Sequence, residues 1–276
     1  MSLSIMTNVA SLGAQRNLAK TTANLQANVA RLSSGLRINS AADDAAGLAI
    51  STKLSAQISG MDQASRNAND GISVVQTAEG ALNEVNGLLS RMRDLAVQAS
   101  SAGSLGSTER GYLDNEFQSC SAEIDRIAGV TEYNGQKLID GSLSAGASFQ
   151  VGIFNTNNDR IDVKVDGVDS TKLGVKTEDV KTATNAQKAL DKIDTAISKV
   201  STARGNLGAV QNRLSVTITN LASWHENLSA ANSRIMDVDV AQETSAYTRN
   251  QILSQAGVAV LAQANQMPSV ALSLLK

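Results

Sequence analysis

LDKIDTAISKVSTARGNLGAVQNRLSVTITNLASWHENLSAANSRI, residues 190–235, is the stretch whose reading decides the fold. Ile193, Val200, Leu207, Leu214, Leu221, Leu228 and Ile235 recur in it every seven residues, a spacing that returns one side chain per two helical turns to the same seam. A neighbouring row is only half apolar, with Leu190, Ile197 and Ile218 alternating with Arg204, Gln211 and His225. The helix carrying both rows therefore needs partners that can receive polar groups as well as apolar ones. No Pro interrupts it, and at about 1.5 Å per residue it would be roughly 65–70 Å long. A helix of that length is too long for an ordinary globular core and must run beside other long helices.

The rest of the chain agrees. Of 276 residues only 3% are aromatic, and a single Pro occurs, where about fourteen would be usual at ~5%. Much of the 42% hydrophobic content is Ala, which lets helices approach closely but buries little area per residue, so each heptad adheres weakly. With a net charge of −2 and scattered Lys and Arg, neither a nucleic-acid surface nor a polybasic membrane anchor is expected. Cys120 is alone, which excludes an internal disulfide framework and a cysteine-based zinc cluster and leaves a small, partly buried side chain. Met1-Ser2-Leu3-Ser4 has neither a cationic nor an apolar leader region, and the run Ala256 to Ala262 falls far short of the ~20 residues of a membrane span. By itself the sequence reads as soluble, non-secretory and without membrane insertion.

Convergent chemistry is scarce. There is one His and one Cys, with no Gly-rich phosphate loop ending in Lys and no His-Glu-x-x-His. No enzyme, cofactor or metal site is expected. His225, which follows Trp224, reads as a half-buried member of the polar row. Asp43-Asp44 suits the positive end of a helix better than a metal, because no further ligands lie nearby. Asn227-Leu228-Ser229 matches a glycosylation acceptor, but Leu228 belongs to the apolar seam.

Along the chain, Leu18, Leu25 and Leu32 repeat at seven, with Val29 and Leu36 in the next row, predicting an amphipathic N-terminal helix that ends at Ser33-Ser34-Gly35. Residues 45–99 are helical again. Gly60, Gly71, Gly80 and Gly87 within them each cost about 1 kcal/mol relative to Ala and are expected where backbones crowd or the helix bends. Another helix spans 108–128, with Leu113, Phe117, Ile124 and Ile127 inward and Glu109, Asp114, Glu116, Glu123 and Asp125 mostly solvated. The period then shortens to two: Phe149, Val151 and Ile153, then Ile161, Val163 and Val165, flank turn residues Asn155 to Asp159 and predict a β-hairpin within about 138–175, alone or with a third short strand. A last helix begins near Val240, where Leu253, Val260, Met267 and Leu274 repeat at seven beside Leu261. Pro268 should bend or loosen it.

The expected fold is mainly α: long antiparallel helices in a coiled-coil-like bundle, a small β-hairpin region and no outer globular domains. Pairing the two terminal helices would still leave apolar stripe exposed, in a unit too small to be stable alone in water. Other copies of the chain are the simplest cover. Copies meeting through unlike surfaces give a ring or an open helical filament.

Leu32-Ser33-Ser34-Gly35-Leu36-Arg37-Ile38-Asn39-Ser40, followed by Asp43-Asp44-Ala45-Ala46-Gly47, resembles the signature of bacterial flagellin. Ala64 to Ile72, Glu79 to Glu84, Gln255-Ala256-Gly257 and Val260 to Gln266 are similar to further blocks of that family, so the resemblance covers residues 1–140 and 185–276. It implies a structural subunit that polymerises into the flagellar filament used for motility. Residues 1–36 and 236–276 would form its inner layer, D0, 37–46 a connecting loop and 47–235 the surrounding D1. Leu18, Leu25, Val29, Leu32, Leu253, Val260, Leu261, Met267 and Leu274 would then make the polymerisation core, and Ile193, Val200, Leu207, Leu214, Leu221 and Leu228 the D1 seam. The resemblance further implies an extracellular fate, with export through the flagellar export apparatus, aided by an export chaperone and without a cleaved signal peptide. Filament cap and hook-filament junction proteins would be partners. Arg91, Leu95 and Glu116 match family contacts to Toll-like receptor 5, while Cys120 stands where recognised members carry Arg. The alternatives are a minor flagellin-like or hook-filament junction protein, or a cytoplasmic coiled-coil adaptor.

Overall fold

The computed structural model describes residues 7–103 and 105–273, with the backbone alone for 268–273. The elements follow the hydrophobic periods. Helix α1 is Val9–Ser34, α2 Ala45–Ser100 and α3 Ser107–Val130; a two-residue hairpin pairs β1 Glu132–Tyr133 with β2 Gln136–Lys137; a longer one pairs β3 Ala147–Gln150 with β4 Arg160–Val163. A single turn, α4 Ser170–Leu173, precedes α5 Ala183–Met236 and α6 Val240–Ser273. The chain is thus mainly α, with two small antiparallel two-stranded sheets. It divides into two compact units, residues 57–226 and the described residues up to 56 with those from 227 onward; α2 and α5 contribute to both.

In the 57–226 unit, α2 and α5 run antiparallel, as three polar pairs along them record: Arg93 with Asp194 at 2.8 Å, Glu79 with Arg204 at 3.8 Å and Asp62 with His225 at 3.3 Å. Of the three polar interruptions of the second heptad row, Arg204 and His225 each meet an acid across the bundle. The first row, Ile193, Val200 and Leu207, is buried against Val75, Leu82, Leu89, Met92 and Leu95 of α2 and Phe117 and Ile124 of α3. Leu214 of the same row packs with Ala68, Val151 and Ile161, where the longer hairpin closes over the helices. Phe149 pairs with Ile161 in that hairpin, which keeps the apolar residues of both strands on one face. The 132–137 hairpin is an element the two-residue period does not reveal. Its turn is made by Asn134 and Gly135, both with positive φ.

Two expectations are corrected or refined. Asp114 is not solvated but 3% exposed: the segment after α4 crosses α3 there, and its Oδ1 accepts the Val180 amide at 3.0 Å. Gly60 and Gly71 do sit where neighbours crowd, against Ile153 and against Leu214 and Phe149, but Gly80 and Gly87 face open space. Helix α6 continues through Pro268 to Ser273.

In the other unit, Gly35 takes φ 73° and caps α1, its amide donating to the Arg31 carbonyl. The chain then pairs briefly with the turn between α5 and α6: the Arg37 amide donates to the Met236 carbonyl at 2.6 Å and the Val238 amide to that of Gly35 at 3.0 Å. Asp43 anchors the loop by accepting from the Ser40 hydroxyl, the Ser40 amide and the Asn39 amide. These bonds, the Ser40 hydroxyl foremost, hold its carboxyl below the ordinary carboxylate range.

Candidate self-association surface

Helices α1 and α6 pack along their lengths, and each commits one heptad face to the contact. On α1 the covered face is Ser11, Ala14, Leu18, Thr21, Leu25, Asn28 and Leu32. On α6 it is Glu243, Tyr247, Asn250, Ser254, Gly257, Leu261 and Ala264, alternately three and four residues apart. The first helix therefore spends its Leu row on a partner face made mostly of small and polar residues. Gly257 makes the close approach, since a Cβ there would lie 3.2 Å from a Leu18 methyl.

The consequence is that the apolar heptad of α6 points away from α1. Leu253 is 49% exposed and Val260 58%, and Ile252, Val258 and Met267 are exposed beside them. Val9, Leu12 and Val29 are the exposed large apolar residues of α1. Leu274 lies outside the described residues. An apolar stripe of this length on a paired helix is the type of surface that ordinarily meets a protein partner.

Polar contacts tie the pair together. Asn28 accepts from the Asn250 side-chain amide at 2.8 Å and donates to Glu243, whose carboxylate lies 3.9 Å from Arg31. Near the other end the Ser11 hydroxyl donates to Asn265 at 2.7 Å, and the Asn8 side chain caps α1 while donating to the Ala264 carbonyl at 2.8 Å. Heptad counting aimed at apolar rows passes over these residues. The signal was present all the same, because Asn28 falls at heptad spacing between Leu25 and Leu32.

The remaining singled-out residues lie in the bundle or beside it. Ile193, Val200, Leu207, Leu214 and Leu221 are buried and Leu228 half-buried. Arg91 and Glu116 form an exposed ion pair at 2.6 Å, whereas Leu95, 1% exposed, offers no surface in the single chain. Cys120 is half-buried behind that pair; burial first, then the Glu116 charge, pushes its thiol pKa up. A groove of about 830 Å³ lies beside α5, in which Lys172 is engaged with the Asp140 carbonyl and Lys199 with the Lys172 carbonyl. Among the described residues no three His, Cys, Asp or Glu side chains converge as for a metal, and no helix is long and apolar enough to cross a membrane.

Comparison with known proteins completes the picture. Residues 5–144 match the bacterial flagellin N-terminal helical region and 190–275 the C-terminal helical region. A flagellin of Halalkalibacterium halodurans is 48% identical over 269 residues, spanning 98% of each chain. The flagellar filament 33 kDa core protein of Treponema phagedenis is 40% identical, again over 98% of each. The crystal structure of Bacillus cereus flagellin superposes with a TM-score of 0.50 at 32% identity, covering 60% of this chain and 94% of that one. Long heptad helices, matched at both ends and along nearly the full length of such relatives, have one reading: the chain belongs to the bacterial flagellin family.

Proposed function

We infer that this chain is the structural subunit of a bacterial flagellar filament and that the open apolar rows of its terminal helix pair are where successive copies join. It polymerises with itself, works in the extracellular filament, and is a mechanical element rather than an enzyme. The observation that carries the surface is the orientation of α6, which gives its small and polar face to α1 and keeps Leu253, Val260 and Met267 for another molecule. Identical subunits meeting through unlike faces build an open helix when the rotation does not close. In this reading the polymerisation core is Leu18, Leu25, Val29, Leu32, Leu253, Val260, Leu261, Met267 and Leu274; Leu18, Leu25, Leu32 and Leu261 are spent on the α1–α6 contact, and Val29, Leu253, Val260 and Met267 stay open to neighbouring copies. The terminal segments 1–36 and 236–276 make the inner layer D0, joined by 37–46 to a surrounding D1 of residues 47–235, with Ile193 to Leu228 as its seam. No variable outer domain is part of it.

The same reading includes export through the flagellar apparatus without a cleaved leader, assistance from an export chaperone, and contact with cap and hook-filament junction proteins. It also includes sensing by Toll-like receptor 5, for which Arg91 and Glu116 supply the exposed groups and Leu95 the packing beneath. Replacing Leu253 or Val260 with Asp is the decisive experiment. Both residues are about half exposed in the single chain, so folding is kept, while an unpaired charge in a closed interface costs several kcal/mol. The variants should stay in the supernatant after high-speed sedimentation; full-length polymer in the pellet would remove the surface assignment.

A further inference from the structure

Helix α6 carries apolar side chains around much of its circumference, so hydrophobicity alone does not select the face it lays on α1. The face it does use coincides with its polar contacts. We propose that Asn28, acting with Asn250 and Glu243, is the register determinant of the terminal helix pair: it decides which face of α6 remains outward and hence which rows neighbouring copies meet. The inference rests on reading that outward face as the polymerisation surface.

Asn28 is 6% exposed and uses both ends of its amide, accepting from Asn250 at 2.8 Å and donating to Glu243. A one-turn slip of α6, or a rotation that laid Leu253 and Val260 on α1, would separate Asn28 from both partners and leave a buried amide unsatisfied. A wholly apolar contact imposes no such penalty and tolerates slippage. In coiled coils a buried Asn fixes alignment in this way, at a cost in stability. Ser11 with Asn265, 2.7 Å apart towards the other end, holds the same alignment.

The close approach of Gly257 supplies a reporter. A Cβ at 257 would lie 3.8 Å from that of Leu18, within disulfide reach. In a full-length Cys120→Ala background, Leu18→Cys with Gly257→Cys reads the native register, and Leu18→Cys with Leu261→Cys reads a shift of one turn. Oxidation before and after polymerisation, scored as the single-chain disulfide on non-reducing gels, should favour the native pair by about tenfold. Asn28→Leu should bring the two within about threefold and lower pelletable polymer at least fivefold. Exchanging the partners, Asn28→Glu with Glu243→Asn, should restore both. Unchanged cross-link preference in Asn28→Leu overturns the proposal. If that variant forms neither disulfide, the exchanged pair decides: a restored native cross-link supports the proposal and an absent one overturns it. Failure of the surface assignment is seen separately, as polymer formed by Leu253→Asp with the native cross-link intact.

Discussion

At Asp114 a single carboxylate ties two segments of the bundle together. Its Oδ1 takes the Val180 amide, its Oδ2 lies 3.6 Å from Lys181, and the neighbouring Gln118 side chain donates to the Glu178 carbonyl at 2.9 Å. Asp114→Ala leaves a buried amide without an acceptor and should lower the unfolding free energy by about 1–3 kcal/mol, measured by urea denaturation. Cys120 is the other residue whose setting makes a measurable difference. Its thiol pKa is raised, chiefly by burial, so the reactive thiolate is scarcer in the folded chain than in the unfolded one. Alkylation at pH 8 should therefore be slower in buffer than in urea, the gap narrowing as the pH rises through the shifted value. Equal rates at pH 8 would contradict the burial assigned to this side chain.

At the scale of elements, the long helices are held by their neighbours rather than by propensity. The glycines of α2 separate two causes for one residue type. A Cβ at Gly71 would sit 3.3 Å from Leu214 and 3.4 Å from Phe149, so Gly is needed there for the hairpin and α5 to approach; at Gly87 nothing lies within 4 Å. Gly87→Ala should stabilise the monomeric chain by about 1 kcal/mol through helix propensity, whereas Gly71→Ala should gain less or destabilise. Thermal melts followed by circular dichroism compare the two, and an equal gain in both would refute the crowding at 71. The terminal pair follows a different logic: α6 meets the Leu row of α1 mostly through Gly257, Ala264 and polar side chains, so that polar contacts secure its alignment.

For the whole molecule, the proposed assembly surface on α6 shares no residue with the clusters that hold the bundle together. The clusters that bury Leu82, Phe117, Ile193 and Leu207 lie within residues 57–226 and include nothing from α6. Removing residues 236–276 should accordingly leave a helical chain that still unfolds cooperatively but yields no sedimentable polymer. Polymer of normal length from the shortened chain would show that the bundle alone suffices for assembly, without α6.

The seven-residue recurrence from Ile193 to Leu228, the period-two runs around Phe149 and Ile161, and the breaks at Gly35 and Asp237 are local properties, and local periodicity is what determines helix, strand and turn. From the amino-acid order alone these settled a mainly helical chain with one principal hairpin and apolar faces at both ends, and the motif from Leu32 to Gly47 marked its kinship. Other facts depend on which segments meet in space. Asp114 is buried because the chain returns across α3, Gly87 differs from Gly71 because a hairpin lies over one and not the other, and Leu95 belongs to the interior rather than to a surface. Above all, the tertiary structure decided that α6 turns Glu243, Asn250 and Gly257 towards α1 and leaves Leu253 and Val260 outward. A helix apolar on several sides carries no internal preference among its faces, and the partner's buried Asn28 supplies the difference in energy that chooses one.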